Sequence, residues 1–118
     1  MVEISVKFEP RRKRIKINGH AGSGPLGNDI VCAAVTILAL TIDSNVQTLE
    51  SNNFVKVNKR NIGSGNAEFD ISTHEKNDKT VELILDTILT GYRILSYQYP
   101  DYVKIFVWGR KSKKLIVS

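Results

Sequence analysis

The chain opens on strict alternation. Val2, Ile4, Val6 and Phe8 are apolar, and Glu3, Ser5 and Lys7 between them are polar. A two-residue period of this kind marks a strand with one wet face. Glu9-Pro10-Arg11-Arg12-Lys13 reads as a turn, and Ile15 and Ile17 resume the alternation, so residues 2–18 are expected to form a hairpin. Gly19 to Asn28 holds four glycines and a proline and predicts an irregular loop. Asp29 then reads as an N-cap, its carboxylate accepting from free N–H groups of a first turn, with a helix from about Ile30 to about Glu50. The first half of that helix, Ile30 to Leu40, is apolar nearly all round. It is expected to be covered on more than one side, by the sheet and by a second helix or a second subunit.

The pattern continues with a strand from Asn53 to Lys59, Val55 and Val57 inward, and a hairpin loop over residues 61–66. Ala67, Phe69 and Ile71 mark a fourth strand. Lys79 to Tyr99 predicts an amphipathic helix, because Val81, Ile84, Leu85, Ile88, Tyr92, Leu95 and Tyr99 share one face. Pro100 stops it. Tyr102 to Trp108 is a last strand, with Val103, Ile105 and Val107 on one side and Phe106 and Trp108 on the other. The order is ββαββαβ. The expected fold is α/β (α+β-like), a single domain over residues 1–118 with a mixed, mostly antiparallel sheet and two helices.

Composition narrows the class. Apolar residues make up 42% and charged ones 25% of 118 residues, which suits a globular domain. With one cysteine there is no internal disulfide and no multi-cysteine metal site, and neither a metal nor a cofactor is expected. A lone thiol suits a reducing compartment. The apolar run Ile30 to Ile42 reads as too short for a membrane span, and Met1 to Ser5 lacks the basic start of a signal peptide. A cytoplasmic protein with no membrane partner is expected. The net charge is +5, and nine of the 17 basic residues sit in two clusters, Arg11, Arg12, Lys13, Arg14 and Lys16, then Arg110, Lys111, Lys113 and Lys114. Such spots could dock on RNA or the ribosome, through Arg11, Arg12, Lys13 and Arg14 above all. A solvated turn and a solvated tail is the plainer reading.

The candidate chemistry lies between Asn18 and Cys32. A histidine, His20, stands at a strand end, a glycine-rich loop follows, and Cys32 falls in the first turn of a helix. If Asp29 is the N-cap, Cys32 sits at N3. A thiolate there faces unpaired N–H groups and the positive end of the helix dipole. Asp29 opposes this if its carboxylate is close to the sulfur, or else it orients His20. A histidine within reach of Cys32 would complete a nucleophile–base pair. His20 suits this better than His74, which lies between Thr73 and Glu75 with no loop to carry it to the thiol. The residues alone equally allow a buried, inert cysteine and a histidine that only caps a carbonyl. Gly22-Ser23-Gly24-Pro25-Leu26-Gly27 matches the dinucleotide-binding pattern G-x-G-x-x-G. The match fails in context. The preceding strand belongs to a hairpin, the next ends at Lys59-Arg60 without a ribose-binding acid, and Pro25 has no N–H to offer.

Gly19-His20-Ala21-Gly22, then Gly27, then Asp29-Ile30-Val31-Cys32-Ala33-Ala34-Val35, resembles the signature of the ribosomal-processing cysteine protease (Prp) family. Leu95 to Val103 is similar to the family's C-terminal part. The resemblance implies a homodimeric α/β fold and a bacterial Cys–His protease that trims an N-terminal extension from a large-subunit ribosomal protein, the twenty-seventh of its series. It implies Cys32 as nucleophile, His20 as base, and Asp29, Gly19 and Thr36 as supporting residues. Thr36 stands where the family commonly has serine and keeps the hydroxyl. The loop carrying Gly22, Gly24 and Gly27 is then expected to act as a lid that orders over a peptide. Two other readings stand beside this one. One is a non-enzymatic ribosome- or RNA-binding module, and the other is a family relative that processes a phage protein.

Overall fold

A computed structural model describes residues 1–20 and 26–109, with backbone only at residues 26–29. The opening alternation becomes a hairpin as expected. Strand β1 (Val2–Glu9) pairs antiparallel with β2 (Arg12–Asn18) across a turn at Pro10-Arg11. Helix α1 (Leu26–Ser51) follows, then β3 (Val55–Gly63), β4 (Asn66–Thr73), α2 (Glu75–Gln98) and β5 (Val103–Trp108). The sheet order is β3-β4-β2-β1-β5. Only β5 runs parallel to its neighbour β1, and the other pairs are antiparallel. The chain is therefore an α/β domain of ββαββαβ order, with a mixed, mostly antiparallel sheet.

One face of this sheet is the core. Val2, Ile4, Val6 and Phe8 of β1, Ile15 and Ile17 of β2, and Ala67, Phe69 and Ile71 of β4 are all buried there. The alternate residues, among them Glu3, Lys7, Lys16, Phe106 and Trp108, point to the other face and are exposed. Helix α1 buries Val31, Val35, Ala39, Ile42, Val46 and Leu49, and α2 buries Val81, Leu85, Leu89, Tyr92 and Leu95. Each valine, leucine and isoleucine among them contributes roughly 1.5–3 kcal/mol when fully buried. The helices lock together where the Tyr92 hydroxyl donates to the Val35 carbonyl at 3.0 Å. Burial raises the Tyr92 phenol above its ordinary range. Gly91 makes this crossing close, since a Cβ there would lie 2.6 Å from Leu38 Cδ2.

Three element boundaries differ from the sequence reading. Helix α1 starts at Leu26, not Ile30, so Asp29 is inside the first turn rather than its cap. Gly27 and Asn28 are weak helix formers, but their cost is set for helix interiors, and a first turn tolerates them. Strand β3 runs on to Gly63, so the hairpin loop shrinks to Ser64-Gly65. Helix α2 starts at Glu75, not Lys79. Its first turn is solvated and shows no apolar period, while Glu75 and Asp78 suit the positive end of its dipole. The expectation that the apolar run is too short for a membrane span also changes. Ile30–Ser51 is 22 residues with a mean hydropathy of 1.6, enough by length and composition. The helix instead spends its inner face on the core, and Asp43 within it is buried and paired with Arg60 on β3. Its outer face stays open, with Ile30, Ile37 and Leu40 exposed.

The basic turn is solvated only in part: Arg11 and Arg12 are exposed, and Lys13 is not. Lys13 points into the core side and is 1% exposed. Its Nζ donates to the Glu9 carbonyl at 2.7 Å and pairs with Asp78 at 3.0 Å and Glu82 at 3.1 Å. Arg12 pairs with Asp70 at 2.7 Å, and Arg14 with Glu9 at 3.1 Å. Asp78 also accepts from Thr73 Oγ1 and from the Arg11 N–H. Burial pushes the Asp78 carboxyl upward, but the hydrogen bonds from Thr73, Lys13 and Arg11 outweigh it and hold it below its usual range. The Arg12 guanidinium holds Asp70 down in the same sense, against a smaller effect of burial.

These two carboxyls set an acid limit. Both are depressed in the folded state, so the stability they contribute is complete above the unfolded aspartate value of about 3.9. It is lost as the pH falls through their folded values. Urea unfolding is expected to give the same midpoint at pH 7 and pH 5.5 and a lower one below pH about 3.5. The Asp70→Asn, Asp78→Asn double variant should show a smaller acid loss. An equal loss in both proteins would assign it to other groups.

Candidate active site

The end of β2 is built to hold one residue out of the sheet. Gly19 has φ +106°, and a Cβ there would run into the Met1 carbonyl and lie 3.4 Å from Val2 Cα. Only glycine fits that angle and that approach without strain. The Gly19 N–H donates to the Gly65 carbonyl at 2.8 Å, and the His20 carbonyl accepts from the Met1 amino group at 2.6 Å. His20 is thus fixed through its backbone between the start of β1 and the β3–β4 turn, and its side chain is exposed.

Cys32 comes from the other side. It is half-buried on α1 and has no disulfide partner. Because α1 begins at Leu26, Cys32 lies in the second turn, not at N3. The unpaired N–H groups of a helix belong to its first turn, and the dipole's pull fades over the same distance. The helix start therefore does not supply the thiolate stabilisation expected from the sequence.

His20 and Cys32 line the same cavity of about 310 Å³. Cys32, Thr36 and Leu40 contribute from successive turns of α1. Residues 62–66 of the β3–β4 hairpin form the opposite wall, and Val2, Ile17 and Ala67 of the sheet close it with apolar surface. The two residues singled out in the sequence thus line one cavity. Thr36 is beside Cys32 at the spacing of one helical turn, and Gly19 is on the His20 side. Gly27 lies in the first turn of α1 and not in a loop, so the expected lid loses it. Gly22 and Gly24 lie outside the described residues, as does the side chain of Asp29. His74 is the N-cap residue of α2 without a side-chain capping bond, and it does not line this cavity.

The hairpin wall is the part that sequence reasoning missed. In the sequence, Ile62, Gly63, Ser64, Gly65 and Asn66 carry only the marks of a connection. The one signal was a pair of glycines flanking Ser64 between two alternating runs, the mark of a tight turn with a left-handed residue. Gly65 has φ +75°, in keeping with it.

The family model described as cysteine protease Prp matches residues 1–104. The ribosomal processing cysteine protease Prp of Staphylococcus aureus is 25% identical over 105 residues, 88% of this chain and 94% of that protein. Among solved structures, SMU.848 from Streptococcus mutans is 27% identical with a TM-score of 0.66, covering 93% of this chain and 96% of that one. The S. aureus protease Prp in complex with a substrate peptide is 19% identical with a TM-score of 0.65, covering 92% of this chain and 100% of that one, and at that identity it speaks for the fold alone. A match that runs from the first strand to the last, through the strand end and the helix that share the cavity, places this chain in the cysteine protease Prp family.

Proposed function

We propose that the protein is an endopeptidase in which Cys32 is the nucleophile and His20 the acid–base, and that it removes the N-terminal extension of a large-subunit ribosomal protein, the twenty-seventh of its series. The observation that carries this reading is the cavity that holds the chain's one cysteine and His20 together. The Cys32 thiolate attacks the scissile carbonyl carbon, paired with the His20 imidazolium. His20 then gives its proton to the leaving amine as the C–N bond breaks, which leaves a thioester on Cys32. Water attacks the thioester, His20 takes the water proton, and the acid product leaves with the thiolate restored. Thr36 supports the nucleophile from the next turn. The substrate class is taken from the S. aureus relative, whose name is ribosomal processing cysteine protease. Apolar walls at Leu40, Ile62 and Val2 suit a peptide that places an apolar side chain beside the scissile bond. The exposed apolar face of α1 at Ile30 and Ile37 suits a second copy of the chain, and a cytoplasmic setting suits a ribosomal substrate.

The RNA-binding reading is the weaker one. It leans on Arg11, Arg12, Lys13 and Arg14, and of these Arg12, Lys13 and Arg14 are engaged with Asp70, Asp78, Glu82 and Glu9, while Arg11 is exposed. Counterion release needs cations free to meet phosphates. The deciding experiment is incubation with a peptide spanning the extension junction, read by mass spectrometry. Two fragments are expected, and none after iodoacetamide treatment, since Cys32 is the only thiol to alkylate. Cleavage that persists after complete alkylation overturns the proposal. Salt-sensitive RNA binding with no thiol-dependent cleavage would favour the other reading.

A further inference from the structure

The β3–β4 turn meets His20 in two separate ways. Through the backbone, the Gly65 carbonyl accepts the N–H of Gly19, the residue before His20. Through space, the imidazole fills the volume that a side chain at position 65 would need. A Cβ on Gly65 would lie 2.8 Å from His20 Cε1, 3.2 Å from Cδ2 and nearer still to Nε2. Cβ atoms essentially never approach other heavy atoms closer than 3.0 Å, so the ring would have to move. The neighbouring Gly63 is different, because a Cβ there would meet Asn66 alone, at 3.4 Å. The turn is also held against the nucleophile's helix. Arg60, five residues before Gly65 on the same hairpin, forms a two-armed ion pair with Asp43 of α1, with Nη2 to Oδ2 at 3.1 Å. A continuous chain of contacts thus runs from α1, which carries Cys32, across Asp43 and Arg60, and along the hairpin to Gly65 and His20.

We infer that Gly65 is a positioning residue for the reaction: its bare Cα is the seat on which the His20 imidazole is held in the cavity shared with Cys32. The inference rests on the Cys32–His20 reading above. Any side chain at 65 displaces the ring, and the thiol then reacts as it would with no histidine present. Loss of substrate fit alone would leave the thiol's own reactivity untouched.

The test uses the full chain and its single thiol. The rate of iodoacetamide alkylation is measured from pH 5 to 9 in the wild type and in Gly65→Ala, Gly65→Asn, His20→Ala and Gly109→Ala. Thermal melts and kcat and KM on the junction peptide accompany it. His20→Ala is expected to slow alkylation near pH 7 by about tenfold. Gly65→Ala is expected to follow the His20→Ala profile, with a loss in kcat approaching the roughly 10³-fold of His20→Ala. Gly65→Asn should lose as much. Asparagine tolerates a left-handed backbone but still carries a Cβ, so it separates backbone strain from displacement of the ring. Gly109→Ala is the matched control, with φ +97° and a Cβ that would run into the Phe8 carbonyl at the far end of β1. It should melt lower yet alkylate and cleave as wild type. The inference is overturned if Gly65→Ala alkylates like wild type, or if Gly65→Asn restores the wild-type profile. If His20→Ala itself alkylates and cleaves like wild type, the dyad reading fails and takes this inference with it.

Discussion

Replacing Cys32 with alanine is expected to lower kcat/KM on the junction peptide by at least about 10⁴-fold, which is about 5.5 kcal/mol of transition-state stabilisation. The magnitude follows from chemistry and not from packing. Alanine has no atom that can form the thioester, so only binding and polarisation by the rest of the site remain. The fold should be nearly untouched, because Cys32 is half-buried at the cavity wall and its loss leaves the buried residues of α1 in place. His20→Ala should cost about 10³-fold, since a thiol keeps some nucleophilicity without its base. The diagnostic arm is the double variant. Residues that act in one step are far from additive, so Cys32→Ala with His20→Ala should be no slower than Cys32→Ala alone. Two losses that simply multiply would mean that the residues act in separate steps, and the dyad would have to be abandoned.

The candidate pair is legible in the sequence, but the frame around it is not. Alternation in residues 2–18 and the apolar face of α2 were readable because one face of each element is buried and the other wet, so the pattern records the packing. The starts of both helices were not, for opposite reasons. The first turn of α1 carries Gly27 and Asn28, which read as loop, and the first turn of α2 carries only polar residues, which record no packing at all. The shift at α1 matters for the proposal, because it places Cys32 beyond the free N–H groups of the first turn and leaves the proposed dyad to rest on His20. The seat at Gly65 was invisible for a third reason. It depends on contact between residues 45 positions apart, and a turn glycine looks the same whether it faces solvent or a histidine. Lys13 was misread for the same cause. Its neighbours in the chain are all basic, and the acids that receive it lie on α2.

Lys13→Met is expected to destabilise the fold by about 3 kcal/mol, the largest single loss of stability among the charged positions of β2. Methionine fits the length and apolar surroundings of the stem, so the effect comes from charge and not from a void. The Lys13 ammonium is 1% exposed, and the side chains of Asp78 and Glu82 are 20% and 18% exposed. Removing the cation takes a shared ion-pair partner away from two largely desolvated carboxylates. Asp78 retains the bonds from Thr73 and the Arg11 N–H, and partial exposure lets water reach both acids, which keeps the cost below the upper end for a broken buried pair. Adding Asp78→Asn and Glu82→Gln to Lys13→Met should return part of the loss, because uncompensated charge is its main source. Arg12→Met is the comparison. Arg12 is far more open to water, and its removal should cost under about 1 kcal/mol. Urea unfolding at pH 7 reads all four proteins. If Lys13→Met falls within about 0.5 kcal/mol of Arg12→Met, Lys13 is a surface lysine in solution and the buried ion cluster between β2 and α2 does not hold the two elements together.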